Sequence, residues 1–171
     1  MPRMDPALIE LMQIDAANLR RLAARQPVDF GGMAVAHGSL PPWKVVERAV
    51  AGLEAGTAAL WCMPFLIVPA SRTEIFGACA FKGAPQGGSV EINYGIAPAH
   101  RGRGIATAAV GQLLQLATAS GIVHEVVAHI IQGNVGSEKL VRRLGFQKER
   151  MFVDLDGADV GKWTWKVMEV M

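Results

Sequence analysis

The feature that most constrains this chain is an extended stretch, residues 90–96, followed closely by Arg101-Gly102-Arg103-Gly104 and then by a helical apolar pattern from Ile105. The order is strand, glycine-rich turn, helix. A helix start leaves its first backbone N–H groups without intrahelical partners and carries partial positive charge. Gly102 and Gly104 let a ligand come close to that backbone, because no Cβ stands in the way. Arg101 and Arg103 add fork-shaped cationic donors that suit phosphate. Such a turn is a cradle for a pyrophosphate. It is not a Walker loop, which needs four residues between its glycines and then Gly-Lys-Ser/Thr. Nor is it a dinucleotide fingerprint, because Gly102-x-Gly104-x-x ends on Thr107 where a third glycine belongs.

At 171 residues the chain suffices for one domain with a proper core, and residues 1–171 are read as that domain. A hydrophobic share of 51% against 19% charged excludes a disordered chain. The net charge of +2 is too small to imply nucleic acid, yet it leaves room for a local cluster that holds an anion. The longest apolar run, 57–70, contains Pro64 and Pro69 and is too short to cross a bilayer. No basic segment followed by an apolar one opens the chain, so a cytoplasmic location without membrane attachment is expected. Cys62 and Cys79 sit in apolar surroundings and read as buried small residues rather than a disulfide.

Along the chain, residues 7–12 read as a first strand and 16–25 as a helix with Asp15 as N-cap. Residues 26–40 have no period and read as a loop. A second helix, 43–55, follows Pro41-Pro42. Strands are expected at 59–68, 74–82 and 90–96, with a glycine-rich turn at 83–88. The helix opened by Gly104 runs to about 120, and Gly111 inside it costs about 1 kcal/mol against alanine, which packing on the sheet would have to offset. A strand at 123–131 and a helix that ends before Gly145 come next. A hairpin, 147–153 with 162–167, closes the chain. Hairpins that feed a strand-turn-helix unit indicate a mixed sheet.

A second motif stands where the first would need it. Asn134-Val135-Gly136-Ser137 leads into Leu140 and then Leu144-Gly145-Phe146, about one strand after the glycine loop. Arg-x-x-Gly-x-Ala at Arg101–Ala106 together with Asn-x-x-Ser at Asn134 resembles the GNAT (GCN5-related N-acetyltransferase) family. The likeness is specific over residues 73–168 and loose before them. Ser137, and Asp156-Gly157-Ala158-Asp159 ahead of Trp163, look most like the branch that acetylates ribosomal-protein N-termini.

The resemblance implies an α/β fold of six to seven mostly antiparallel strands flanked by about four helices. It implies acetyl-coenzyme A as cofactor and a primary amine as acceptor, either a small molecule or a protein N-terminus, on a monomer or homodimer. The pantetheine arm would run along the strand at Ile96 and Ala97, and Arg101, Gly102, Arg103, Gly104, Ile105 and Ala106 would take the pyrophosphate. Asn134 would bond the arm from the far side. The N-terminal third would line the acceptor site, which makes His37 and Trp43 candidate contacts. No metal is implied. The family's usual tyrosine, seven residues after the asparagine, is Val141 here, so Ser137 becomes the available donor to the departing sulfur. A helix cap is the structural role open to both Asn134 and Ser137.

For the base, Glu91 is the carboxylate on the strand that leads to the cofactor. Period-2 alternation puts Glu91, Asn93 and Gly95 on one face. Apolar surroundings would raise its pKa towards the working range; a solvent-facing or salt-bridged glutamate is the other reading. Direct attack in a ternary complex is expected, with neither cysteine as nucleophile. A catalytically weak acyl-coenzyme A binding module is the alternative.

Overall fold

The computed structural model describes residues 2–168. The chain opens with strand β1 (Ile9–Gln13) and helix α1 (Ala16–Ala23), whose first turn is capped by Asp15 accepting the Asn18 N–H at 2.8 Å. A two-residue strand β2 (Ala34–Val35) lies in the expected loop, and α2 (Trp43–Glu54) follows Pro41-Pro42. The strand expected at 59–68 begins instead as a short helix α3 (Ala59–Cys62) and becomes strand β3 only at Phe65–Pro69. Pro64 accounts for the break, since a proline disfavours helical backbone in the residue before it, and Met63 is extended at φ −84°, ψ 129°. The stretch 74–82 also divides, into β4 (Glu74–Ile75), which pairs in parallel with β2, and β5 (Gly77–Phe81).

From there expectation and structure agree. Strand β6 (Ser89–Ile96) leads through the glycine loop into α4 (Ile105–Ala119), then β7 (Glu125–Ile131), α5 (Val135–Arg143), β8 (Gln147–Val153) and β9 (Asp159–Lys166). Gly145, at φ +95°, takes the left-handed position just past the end of α5. Gly111 needs no close packing, for a Cβ there would meet nothing within 4 Å.

Seven strands form one sheet in the order β1-β3-β5-β6-β7-β9-β8, and only the β6–β7 pair is parallel. Helices α4 and α5 pack on one face, where Val110, Leu113 and Val141 join Ile92 and Val126 in the larger core. Helices α1 and α2 pack on the other, through Leu19, Val46 and Ala49 against Leu66 and Val68.

One irregularity in this sheet matters for function. The β6–β7 ladder runs from Ser89↔Glu125 to Ile92↔Ala128 and stops there, although both strands continue. Beyond that point β6 stays paired to β5 as far as Ile96, and β7 stays paired to β9 as far as Ile131. Each strand is held by its outer neighbour while the two part from each other. The sheet opens into a V.

Candidate active site

A cleft of about 570 Å³ lies beside the open end of β6, between the start of α4 and the start of α5. Tyr94, Gly95 and Ile96 form one wall, Arg101, Gly102, Gly104, Ile105 and Ala106 another, and Asn134 and Ser137 face them. The two motifs, thirty residues apart in sequence, thus meet across one space.

The glycine loop has the geometry a phosphate needs. Gly102 and Gly104 are left-handed at φ +78° and +79°, and a Cβ on either would meet nothing within 4 Å. That unfilled side faces open space, where a ligand could lie against the backbone. No side chain caps α4, so its first N–H groups point outward without a protein acceptor from the cap position. Coenzyme A pyrophosphate fits such a site.

The two arginines separate. Arg101 lines the cleft and also ties down the end of β6, with its Nε donating to the Ile96 carbonyl at 3.1 Å. Arg103 turns inward: its guanidinium lies over the Phe76 ring at 5.5 Å and its Nη1 stands 3.3 Å from His100 Nδ1. Ala97 is wholly buried, with its N–H donating to the Phe76 carbonyl at 2.8 Å. Neither Arg103 nor Ala97 lines the cleft. The cations that line it beside Arg101 are Arg3, Lys139 and Arg143. Lys139 and Arg143 are one helical turn apart, a spacing visible in the sequence. Arg3 had no sequence signal; the N-terminal segment is brought over the loop by the Met4 N–H, which donates to the Arg103 carbonyl at 3.0 Å.

Asn134 caps α5, its side chain accepting the Ser137 N–H at 3.2 Å, so its amide NH₂ remains for a ligand. Ser137 is half-buried and its hydroxyl makes no hydrogen bond among the described residues. Val141 is fully buried among core side chains.

A smaller depression of about 250 Å³ lies on the other face of β6, bounded by Pro41, Pro42 and Val45 ahead of and within α2 and by Asn93. It shares Tyr94, Gly95, Ile96 and Arg101 with the larger cleft. The two depressions meet where the sheet parts. The buried Nδ2 of Asn93 has no hydrogen-bond partner among the described residues. His37 and Trp43 do not line this depression; Trp43 is 40% exposed with Arg25 stacked over it at 4.7 Å.

Glu91 stands on the Asn93 face, as the alternation requires, but in a separate concavity of about 670 Å³ with Lys82, His129, Arg150 and Lys162. Its surroundings are not the apolar ones expected from the flanking strands. Its Oε1 accepts from both Lys82 Nζ and His129 Nδ1, the latter at 2.7 Å, and its side chain is 27% exposed. Burial lowers the pKa of Arg48 on α2, and the nearby charge of Glu91 offsets part of that. Cys62 and Cys79 are free and buried, and burial raises both thiol pKa values, Cys79 far above the usual range. Among the described residues no group of three or more His, Cys, Asp or Glu could hold a metal ion, and no helix is long and apolar enough to cross a membrane.

A V-opened mixed sheet, with a glycine loop and an Asn-capped helix at its mouth, defines an acetyltransferase-type domain. Residues 15–147 match the acetyltransferase (GNAT) domain family, and the chain belongs to that family. It is 33% identical over 95 residues to the uncharacterized N-acetyltransferase p20 of Bacillus licheniformis, covering 55% of this chain and 53% of that protein. It is 31% identical over 83 residues to YjdG of Bacillus subtilis, covering 48% and 49%. The chain thus matches about half the length of these curated relatives. Among solved structures, the dodecameric spermidine N-acetyltransferase of Vibrio cholerae superposes with a TM-score of 0.66 at 17% identity, over 94% of each chain. The microcin C7 self-immunity acetyltransferase MccE, in complex with acetyl-coenzyme A and AMP, superposes at 0.60 with 22% identity, over 73% and 69%. Both likenesses concern the fold.

Proposed function

We propose that the chain is an acetyl-coenzyme A-dependent N-acetyltransferase that acts by direct attack of a primary amine in a ternary complex. The observation that carries this reading is the meeting of two depressions, from opposite faces of the sheet, at the open end of β6. A cofactor in the larger one and an amine in the smaller one would touch only there. Gly102, Gly104, Ile105 and Ala106 take the pyrophosphate on backbone N–H groups, with Arg101, Lys139 and Arg143 supplying charge. The pantetheine arm occupies the edge of β6 that β7 has vacated, near Ile96, and Asn134 bonds it from the opposite wall. A backbone N–H at the end of β6 polarises the thioester carbonyl. Ser137 faces the departing sulfur.

An alkyl ammonium cannot attack until it loses a proton. We assign proton acceptance to Glu91 together with His129, since the two share a hydrogen bond of 2.7 Å; because they line a separate concavity, the proton passes to them through water. The acceptor is an amine, small or at a protein N-terminus. The smaller depression has no carboxylate among its lining residues, which argues against a polyamine, whose further ammonium groups would need counter-charges. The ribosomal-protein branch is supported only by Ser137 and the Asp156-to-Trp163 stretch. A monomer or homodimer in the cytoplasm fits this reading.

The test is calorimetric binding of acetyl-coenzyme A followed by thiol release against a panel of amines. Binding with acceptor-dependent release supports the enzyme. Binding without release from any amine class would favour the alternative, an acyl-coenzyme A binding module.

A further inference from the structure

Position 141 holds a buried valine, yet a tyrosine reaches the same space from a different element. Tyr94 projects from β6 towards α5 on the face opposite Glu91, and it lines the large cleft beside Ser137. Its hydroxyl is buried and, among the described residues, has no hydrogen-bond partner of normal geometry. A buried hydroxyl left unpaired costs about 1–3 kcal/mol, so an orphan in a native fold calls for a reason. Burial raises the phenol's pKa, and the Ser137 hydroxyl, in weak hydrogen-bonding reach of it, lowers it by less. Ser137 is itself uncommitted, because Asn134 takes only its N–H. Two hydroxyls, one deep and one at the cleft wall, therefore lie within reach of each other, and among the described residues neither is held by any other protein group.

We propose that Tyr94, working through Ser137, supplies the hydrogen bond that stabilises the coenzyme A thiolate as it leaves. This rests on the cofactor reading above. The amine nitrogen bonds to the acetyl carbon, the carbon–sulfur bond breaks, and its electron pair stays on sulfur. The amine's proton goes to the Glu91–His129 pair. Ser137 donates to the sulfur, and Tyr94 donates to the Ser137 oxygen, which strengthens the serine's own donation. The phenol does not give its proton up. A thiol ionises near 8.5 and a free phenol near 10, and burial moves the phenol further from the thiol. Tyr94 is thus a positioning and polarising residue, a donor that stays neutral while charge develops on sulfur.

The consequence can be read without turnover. A site that stabilises the thiolate lowers the pKa of the bound thiol, so coenzyme A should release protons when it binds near pH 8. Calorimetry in two buffers of different ionisation enthalpy measures that release, and desulfo-coenzyme A, which lacks the thiol, is the control. The native chain should release protons with coenzyme A only. Above the thiol's pKa it should prefer coenzyme A over desulfo-coenzyme A roughly tenfold, the equivalent of one pKa unit. Tyr94→Phe and Ser137→Ala should each abolish both effects and leave desulfo-coenzyme A affinity unchanged. Tyr94→Phe also removes an unpaired buried hydroxyl, so its thermal midpoint should be unchanged or higher, which separates the result from misfolding. Proton release that survives in either variant overturns the inference. Failure of both ligands to bind the native chain instead removes the cofactor reading beneath it.

Discussion

Replacing Gly104 with alanine separates the loop's phosphate-binding role from its folding role. Gly104 sits at φ +79°, ψ 8°, a left-handed conformation that costs an alanine about 1–2 kcal/mol. No clash adds to that cost, since the new Cβ would meet nothing within 4 Å. For a chain of this size 1 kcal/mol moves the thermal midpoint about 2–4 °C, so the fold should survive with a loss of about 2–8 °C. The effect on binding should be larger. The methyl group would occupy the space through which a phosphate reaches the first N–H groups of α4. A hydrogen bond to a charged group contributes about 1.5–3 kcal/mol, and every 1.4 kcal/mol is tenfold in affinity. Loss of one such bond should therefore weaken coenzyme A by roughly 10- to 100-fold in calorimetry. Gly111→Ala is the matched control: its Cβ also meets nothing within 4 Å, but it lies in the body of α4, where alanine stabilises by about 1 kcal/mol. That variant should melt higher and bind as before. A folded Gly104→Ala protein with native affinity would show that the pyrophosphate lies elsewhere.

Glu91→Gln should lower kcat/KM for the true acceptor on the order of a hundredfold, the lower range for loss of a general base, with coenzyme A affinity unchanged. Full activity in that variant would make Glu91 only a partner of Lys82 and His129. Gly77→Ala should be among the most damaging glycine changes, because its Cβ would stand 2.1 Å from the Gly95 carbonyl oxygen. A denaturation midpoint within error of the native one would refute the close β5–β6 approach. For Cys79, burial raises the folded-state pKa, so above the unfolded thiol's value, about 8.5, the unfolded chain releases a proton that the folded one keeps. Stability from this thiol is complete below that pH and falls above it by up to about 1.4 kcal/mol per pH unit. Urea titrations between pH 8 and 10 should show that slope, and Cys79→Ala should lack it. No acetyl thioester should form on either cysteine, and a trapped acetyl-enzyme that passes its acetyl group to an amine would defeat the direct mechanism.

The parts of the fold legible in the sequence are those fixed by local backbone chemistry. Asp15 and Asn134 each accept the N–H three residues on, and Gly102, Gly104 and Gly145 are all left-handed. Such signals need only a few neighbouring residues. The site's motifs were legible for the same reason, because they are turns at the ends of a strand and a helix. What escaped depends on contacts between distant segments. The β2–β4 pair joins Ala34–Val35 to Glu74–Ile75, two short stretches with no period of their own. Arg103 was grouped with Arg101, yet Phe76 and His100 draw it inward. Arg3 reached the cleft through one backbone hydrogen bond to the loop. Glu91 was assigned to the correct face by alternation, but its polar surroundings come from four other strands: Lys82 just past β5, His129 on β7, Arg150 on β8 and Lys162 on β9. Alternation fixes where a side chain points and says nothing about what stands opposite.

Strand β6 is what joins these pieces into one device. Its alternation sends Glu91 and Asn93 to the α2 face and Tyr94 to the α5 face, so in the mechanism proposed above proton removal from the amine and charge stabilisation at sulfur would fall on opposite sides of one backbone. That separation suits the chemistry, since a carboxylate beside the departing thiolate would oppose the charge that develops there. The backbone between them is held from outside the site. Gly77 lets β5 close on Gly95, and Arg101 bonds the Ile96 carbonyl. The first contact fixes the end of β6 on the side away from β7, while β7 is held along its whole length by β9. The V therefore does not depend on a ligand to hold it open. A pantetheine arm that enters it would meet a strand edge already in place, and the ordering cost of forming that edge would not be charged against binding.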